Sequence, residues 1–297
     1  MAKIGVVRAG VGLRAKRGWT WRVWVFCRKK PLGALGAVLL ILMAFTAIFA
    51  DALENYDPLY QDTPKQLTAP GREFWFGSDV LGRDVYSRVI HGSRVSLYVG
   101  LMAVLISTAI GTTVGVASAY FGGWLDLGIQ RVIDALQGIP GLVLALALVV
   151  ALGASLNNVT IAIAIAYIPR VTRIARAQAL SVIQEDYVLA ARAVGARAAR
   201  IIFRHVTINS LTPVIVVAAG LLGNAIVTEA ALSFLGLGVP PPFPSWGQML
   251  QAGARGYQEA APWLTIFPGL ALTVGVFGFN LFGDALRDTL DPRLRGR

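Results

Sequence analysis

Six long apolar runs dominate this sequence, at roughly 32–50, 94–120, 124–153, 157–178, 211–235 and 261–283. A helix needs about 20 mostly apolar residues to cross a hydrocarbon core about 30 Å thick, and all six runs reach that length. Buried helices of a large soluble protein are the competing reading. Only 14% of the 297 residues are charged, against about a quarter in soluble chains. That leaves too little polar sequence to cover so much apolar surface in water. The expected fold class is therefore all-α integral membrane, with six transmembrane helices.

The first run does not read as a cleaved signal. A long arm precedes it, and no small-residue cleavage pattern follows Ala50-Asp51. The arm, residues 1–30, carries Lys3, Arg8, Arg14, Lys16, Arg17, Arg22, Arg28, Lys29 and Lys30, and no acid occurs before Asp51. Such an arm suits either nucleic acid or the anionic cytoplasmic leaflet. Beside a membrane span the second reading prevails, so lipid is the expected partner and nucleic acid is not. Trp19, Trp21 and Trp24 are expected at that interface.

With the arm inside, the spans alternate. The stretch 51–93 falls outside, rich in acids and poor in Lys and Arg. The region 179–210 falls inside with Arg192, Arg197, Arg200 and Arg204, led by Arg170, Arg173 and Arg176. The tail, with Arg293, Arg295 and Arg297, is inside too. Both termini are then cytoplasmic, and residues 31–297 form one membrane domain. The second outer segment, 236–263, contains VPPPFPSWGQML. Its prolines cannot continue a helix and predict a stiff extended excursion. Trp246 and Trp263 would sit near the headgroups or dip into the mouth of a cavity.

Within the spans, Pro140 and Pro169 are expected to interrupt helices, and Gly111 with Gly115 forms a close-packing GxxxG. Asp134 has Arg131 one turn earlier, which predicts a local pair. Glu229 lies near the outer end of its span, where three roles are open: snorkelling, bonding a neighbouring helix, or touching cargo. Trp246 is the second candidate for the pathway or outer gate. Cys27 is the single cysteine, so no intrachain disulfide forms. With only His91 and His205, no metal-ligand cluster is expected.

The inner region contains DYVLAARAVGARAARIIFRH, residues 186–205. Glu185 and Asp186 stand where acids favour a helix start, and Gly195 where a helix can end. Tyr187, Ala190, Ala191 and Val194 follow i, i+3, i+4, i+7 spacing. Two alanines make that face shallow, so a partner can approach the backbone closely. After Gly195 a second pattern sets Arg197, Arg200 and Arg204 against Ala199, Ile202, Phe203 and Val206. It suits a helix lying along the membrane. By pattern alone, an interfacial re-entry helix explains the segment equally well.

LAARAVG, Leu189 to Gly195, resembles the cytoplasmic E-A-A-x-x-x-G loop of ATP-binding-cassette importer permeases. RIIFRHVTIN resembles the RII-x-RHILPN run of their dipeptide and oligopeptide family. GSDVLGRDVYSRVIHGSRVSL (77–97), EAALSFLGLGVPPPFPSWGQML (229–250) and GDALRDTLDPR (283–293) resemble further segments of that family, in its order. The likeness runs from about residue 30 to the end and points to the C-type subunit of the permease pair. Leu189 stands where the general motif has Glu, and Ile208 where it has Pro. Without that proline, the helix after Gly195 is free to run straight into the fifth span.

The resemblance implies the type I importer permease fold. It also implies that the loop helix docks into a groove on a cytoplasmic ATPase. Ala190, Ala191 and Gly195 would make the close contact, with Asp186, Tyr187, Leu189, Val194, Arg197 and Arg200 around them. The implied partners are a B-type permease, two ATPase subunits and an extracytoplasmic substrate-binding protein. None of the five lysines follows glycine in a G-x-x-x-x-G-K-[ST] pattern, so ATP hydrolysis is assigned to partners. No GxSxG, HExxH or paired-carboxylate site appears, and no cofactor is expected on this chain. The competing class is a carrier or channel driven by ion gradients, which would have to use Asp134 and Glu229. A membrane-bound enzyme lacks any recognisable site. Peptides are the expected cargo, with glutathione and metal chelates as alternatives.

Overall fold

The computed structural model describes residues 19–254, 256–257 and 259–290. The arm before Trp19 and the tail after Leu290, with their expected sidedness, lie outside the described residues. A helix the sequence reading did not propose, α1 (Trp19–Lys29), leads directly into α2 (Pro31–Ile48). Pro31 opens α2, where a missing N–H costs nothing. The longer helices that follow are α3 (Val85–Phe121), α4 (Gly123–Gln137), α5 (Gly141–Leu152) and α6 (Leu156–Ile183). Then come the short α7 (Asp186–Ala193), the long α8 (Ala198–Phe234), α9 (Trp246–Ala254) and α10 (Trp263–Leu290).

Four of these, α2, α3, α8 and α10, are long and apolar enough to cross a membrane unaided. The expected span 124–153 differs from a straight helix: α4 and α5 meet at 92°. Pro140 has extended backbone (φ −54°, ψ 130°) and caps α5, and a residue before proline avoids the helical region. The helix therefore breaks at Gly138–Pro140. α4 exposes Trp124, Leu125, Leu127 and Val132 and buries Ile133. Beyond the break α5 adds about 18 Å of helix.

Packing settles the direction of the rest. α6 runs parallel to α3 in constant register: the Tyr98 hydroxyl donates to Asn157 Oδ1 at 2.9 Å, and Gly111 and Gly115 face Val171 and Ala175 further along. A Cβ at Gly115 would lie 2.4 Å from the Thr172 carbonyl oxygen, so the GxxxG motif is the α3–α6 contact. Two parallel neighbours require a return between them, which the bent α4–α5 pair supplies together. α8 runs antiparallel to both, with Ile226 against Gly100 and Thr228 bonded to Tyr167. α10 runs antiparallel to α8, and α2 to α10, through Gly33, Gly36 and Gly278. The result is a bundle of six end-to-end passes, of which four, or five counting the bent α4–α5 pair, are long and apolar enough to cross a membrane. Segments 51–84, 153–155 and 235–262 lie at one end. The start of α4, the α7 region and the junction of Lys30 with Asp288 lie at the other.

Two expectations fail at these ends. Asp134 pairs with Arg173 of α6, not with Arg131; the α4–α5 bend carries Asp134 toward α6, and a tertiary partner replaces the local one. The proline-rich stretch does not extend outward. It turns and sends α9 back against α8 and α10. Trp246 is 3% exposed, its Nε1 donating to the Val89 carbonyl at 2.9 Å. Trp263 Nε1 donates to the Ser78 carbonyl at 3.1 Å. Both indoles thus tie the outer segments to each other and to α3, instead of sitting among headgroups or in a cavity mouth.

Candidate functional site

At the end that carries α7, four elements share one apolar cluster. Val116 and Ala119 come from α3, Ala179, Val182 and Ile183 from α6, Val188 from α7, and Ile201 and Val206 from α8. Val188 is fully buried there. α7 is therefore pinned to the ends of three crossing helices through one side chain. A second attachment is polar: Arg192 lies over the Tyr120 ring at the end of α3, 5.0 Å from its centroid. Tyr187 packs beside His205, with centroids 6.2 Å apart.

The pin sets which way α7 faces. With Val188 inward, Ala191 turns half-inward onto the same cluster. The outward stripe is Asp186, Leu189, Ala190, Ala193 and Val194, all exposed; Val194 is 83% exposed. This stripe differs from the one expected from sequence. Tyr187, Ala190 and Val194 are exposed as expected, Ala191 belongs to the inner side, and Ala193 joins the outer face. The sequence signal was Val188 itself, a β-branched apolar residue one turn before Ala191, which the alanine spacing outweighed.

Gly195 ends α7 as expected. Its N–H bonds the Arg192 carbonyl at 2.9 Å, and the Ala196 N–H bonds that of Ala191 at 3.0 Å. This is the double closure of a left-handed glycine cap, and Gly195 has φ +75°. Arg197 and Arg200 are exposed on the short link and the first turn of α8. α8 then runs unbroken from Ala198 to Phe234, as the absent proline allows. The expected face holds in part: Ile202 packs in the cluster with Val206, but Phe203 does not join them. Ile201 and Val206 are buried and Phe203 is 66% exposed. Residues Ile201–Thr207 form a π-helix, in which positions five apart share a face.

A polar cleft of about 1080 Å³ opens between α6, α8 and α10 in the same half of the molecule. Arg170, Gln178, Asn209, Asn280, Asp284 and Arg287 line it. Sequence reading placed no pathway residue here. The polar side chains stand on three different helices, and only packing brings them together.

The two acids within the expected spans are both engaged. Asp134 is paired with Arg173. Glu229 is fully buried, its Oε1 accepting from Ser233 Oγ at 2.7 Å. That partner lies one turn on in its own helix, not on a neighbouring one, and among the described residues Oε2 has no hydrogen bond. At the opposite end, Asp51, Glu54 and His91 bring ligand atoms within 4.8 Å of one another, a grouping that the count of histidines did not anticipate. Arg94 already holds both oxygens of Asp51, at 2.7 and 3.0 Å, and this hydrogen-bonded guanidinium holds the Asp51 carboxyl below its ordinary pKa. The group fastens the top of α2 to α3.

Comparison with known proteins completes the site. The family model described as "Binding-protein-dependent transport system inner membrane component" matches residues 111–296. A second model, "N-terminal TM domain of oligopeptide transport permease C", matches residues 19–70. The dipeptide transport system permease protein of Alkalihalophilus pseudofirmus is 41% identical over 268 residues, 90% of this chain and 88% of that one. The glutathione transport system permease protein of Pectobacterium atrosepticum is 42% identical over 271 residues, 91% of this chain and 89% of that one. Among solved structures, the MetNI methionine ABC transporter in an inward-facing conformation matches with TM-score 0.54 at 17% identity. That match covers 69% of this chain and 96% of the other and shows a shared fold.

Proposed function

The chain belongs to the family of binding-protein-dependent transport system inner membrane components, and we propose that it is the C-type permease subunit of an ATP-driven peptide importer. It is a multi-pass membrane permease and not a P-loop ATPase. Dipeptides and short oligopeptides are its cargo, as the relatives' names and the shared chemistry of dipeptide and glutathione suggest. A B-type permease completes the pathway beside the cleft of α6, α8 and α10. Two ATPases bind on the α7 side, which is the cytoplasm, and a substrate-binding protein docks on the other. The exposed apolar side chains of α2, among them Leu32, Ile41 and Phe45, face lipid.

The observation that carries this reading is the pairing of Val188, fully buried, with the bare Ala190–Ala193–Val194 stripe on the opposite face. A motor gripping that stripe moves α7, and the pin transmits the movement to α3, α6 and α8 at once. No metal or cofactor takes part on this chain. Asp186, Tyr187, Leu189, Arg197 and Arg200 flank the grip and set its register.

Ala190→Arg and Ala193→Arg test the grip without disturbing the pin. Both positions are exposed, so the chain should insert and assemble at wild-type levels. ATP-driven peptide uptake in reconstituted vesicles should fall at least tenfold. Normal uptake by both variants would end the proposal.

A further inference from the structure

At the end opposite α7, a cavity of about 320 Å³ lies between the 79–88 segment and the 241–264 segment. It shares no lining residue with the transmembrane cleft. Its wall includes Val80, Leu81, Val85, Met249 and Leu264, and its charged groups are Asp79, Arg83 and Arg88. Two guanidinium groups therefore face one carboxylate.

That carboxylate is spent on one of them. Asp79 Oδ1 accepts from the N–H groups of Leu81 and Arg83 at 2.8 and 3.0 Å, and Oδ2 from Arg83 Nε at 2.7 Å. Arg88 is left over. It is 2% exposed, and its Nε stands 3.8 Å from Asp79 Oδ2, beyond hydrogen-bond reach. Among the described residues its one hydrogen bond is from Nη1 to the Pro58 carbonyl, 2.9 Å. A guanidinium carries five N–H donors in a planar fork. Enclosing such a charge with one carbonyl bond and only a shared carboxylate at 3.8 Å is costly, and the group that matches the fork is a carboxylate, bound bidentately.

From this geometry we infer a carboxylate-binding site at Arg88. The cavity is at the small end of ligand pockets, roughly 300–1,000 Å³, which suits a free carboxylate of amino-acid to dipeptide size or an acidic side chain presented by a docked protein. The apolar wall excludes water and strengthens the ion pair. Gln248 and Tyr257 on the wall can bond the ligand's remaining polar atoms. Occupation would tie the 79–88 segment to α9 and the loop that follows it. The inference does not depend on the coupling role of α7 or on the identity of the cargo.

Propionate and its neutral analogue propionamide are suitable probes, because neither resembles a transported peptide. Each is titrated into the purified full chain with its co-purifying subunits, at constant ionic strength, while thermal unfolding is followed. Propionate should raise the midpoint saturably; propionamide should not. Arg88→Lys, which keeps the charge and loses the fork, should weaken the half-saturation at least tenfold. Ala252→Leu narrows the cavity, leaves Arg88 in place, and should abolish the shift; it decides the matter if Arg88→Lys does not assemble. Equal shifts with both probes, or an undiminished shift in Ala252→Leu, would overturn the site. Saturating propionate that weakens docking of the substrate-binding protein would identify that protein as the carboxylate's source. Unaffected docking would identify a free small molecule.

Discussion

The Arg192 guanidinium lies over the Tyr120 ring, 5.0 Å from its centroid, and joins the exposed helix α7 to the end of α3. With buried Val188, one turn earlier on the same face of α7, it makes two attachments along that face, so the helix cannot rotate about a single contact. Rotation would present a different stripe to a partner. Tyr120→Leu keeps apolar bulk and removes the ring face, a loss of about 0.5–1 kcal/mol at an exposed site. ATP hydrolysis by the assembled transporter should persist while peptide taken up per ATP falls several-fold. Measuring both rates on the same vesicles checks this; an unchanged ratio would show that Val188 alone holds the orientation.

Gly195 has φ +75°, and a Cβ there would meet nothing within 4 Å. Its requirement is thus conformational and not steric. Gly195→Ala should cost about 1–2 kcal/mol from left-handed backbone strain, and Gly195→Asn less, since asparagine tolerates that region. The cost should appear locally, as faster amide exchange at Val194, Gly195 and Ala196, whose N–H groups close the end of α7. Slower transport by the alanine variant with asparagine near wild type would match. Equal exchange in all three proteins would not.

Length and hydropathy made most of the crossings legible, because lipid leaves a chain little choice within an apolar run. The failures share a cause: each needed a partner far away in sequence. Asp134 had a plausible neighbour in Arg131, yet Arg173, on the next crossing helix, takes it. Pro140 was visible as an interruption, but not the 92° angle between α4 and α5. In α7 the cap at Gly195 was readable from local rules, while the facing was not, because it is set by the α3, α6 and α8 side chains around Val188. The polar cleft was invisible for the same reason.

Asp84 caps α3, its Oδ2 accepting from the Ser87 N–H at 3.0 Å and Oγ at 2.6 Å, while its buried Oδ1 has no partner. Burial pushes its carboxyl pKa up from 3.8, against the hydrogen bonds from Ser87. A folded pKa above the unfolded one means the native state binds more protons across that window. Asp84 therefore contributes stability at low pH that is lost as pH rises through its folded pKa. Asp84→Asn keeps a competent N-cap and removes the titration. Melting midpoints from about pH 4 to pH 7 should show the variant gaining on wild type as pH rises. A constant difference would assign Asp84 no such role.

Trp246 fills a recess made by two glycines. A Cβ on Gly92 would lie 2.6 Å from its Cδ1, and one on Gly275 would lie 3.3 Å from its ring. Through this peg α9 is seated against α3 and α10. Trp246→Ala should cost about 3–5 kcal/mol, the range for an aromatic removed from a core. Trp246→Phe should cost about 1–2 kcal/mol, chiefly from leaving the Val89 carbonyl without its donor. Gly92→Ala in the wild-type chain should also destabilise, because the new methyl group and the indole compete for one space. In the Trp246→Ala background the same methyl group enters an empty recess, so its cost should vanish or change sign. That non-additivity, read from the melting of the four proteins of the cycle, is the specific mark of a shared cavity. Additive effects would mean that Gly92 and Trp246 stabilise α3 and α9 independently.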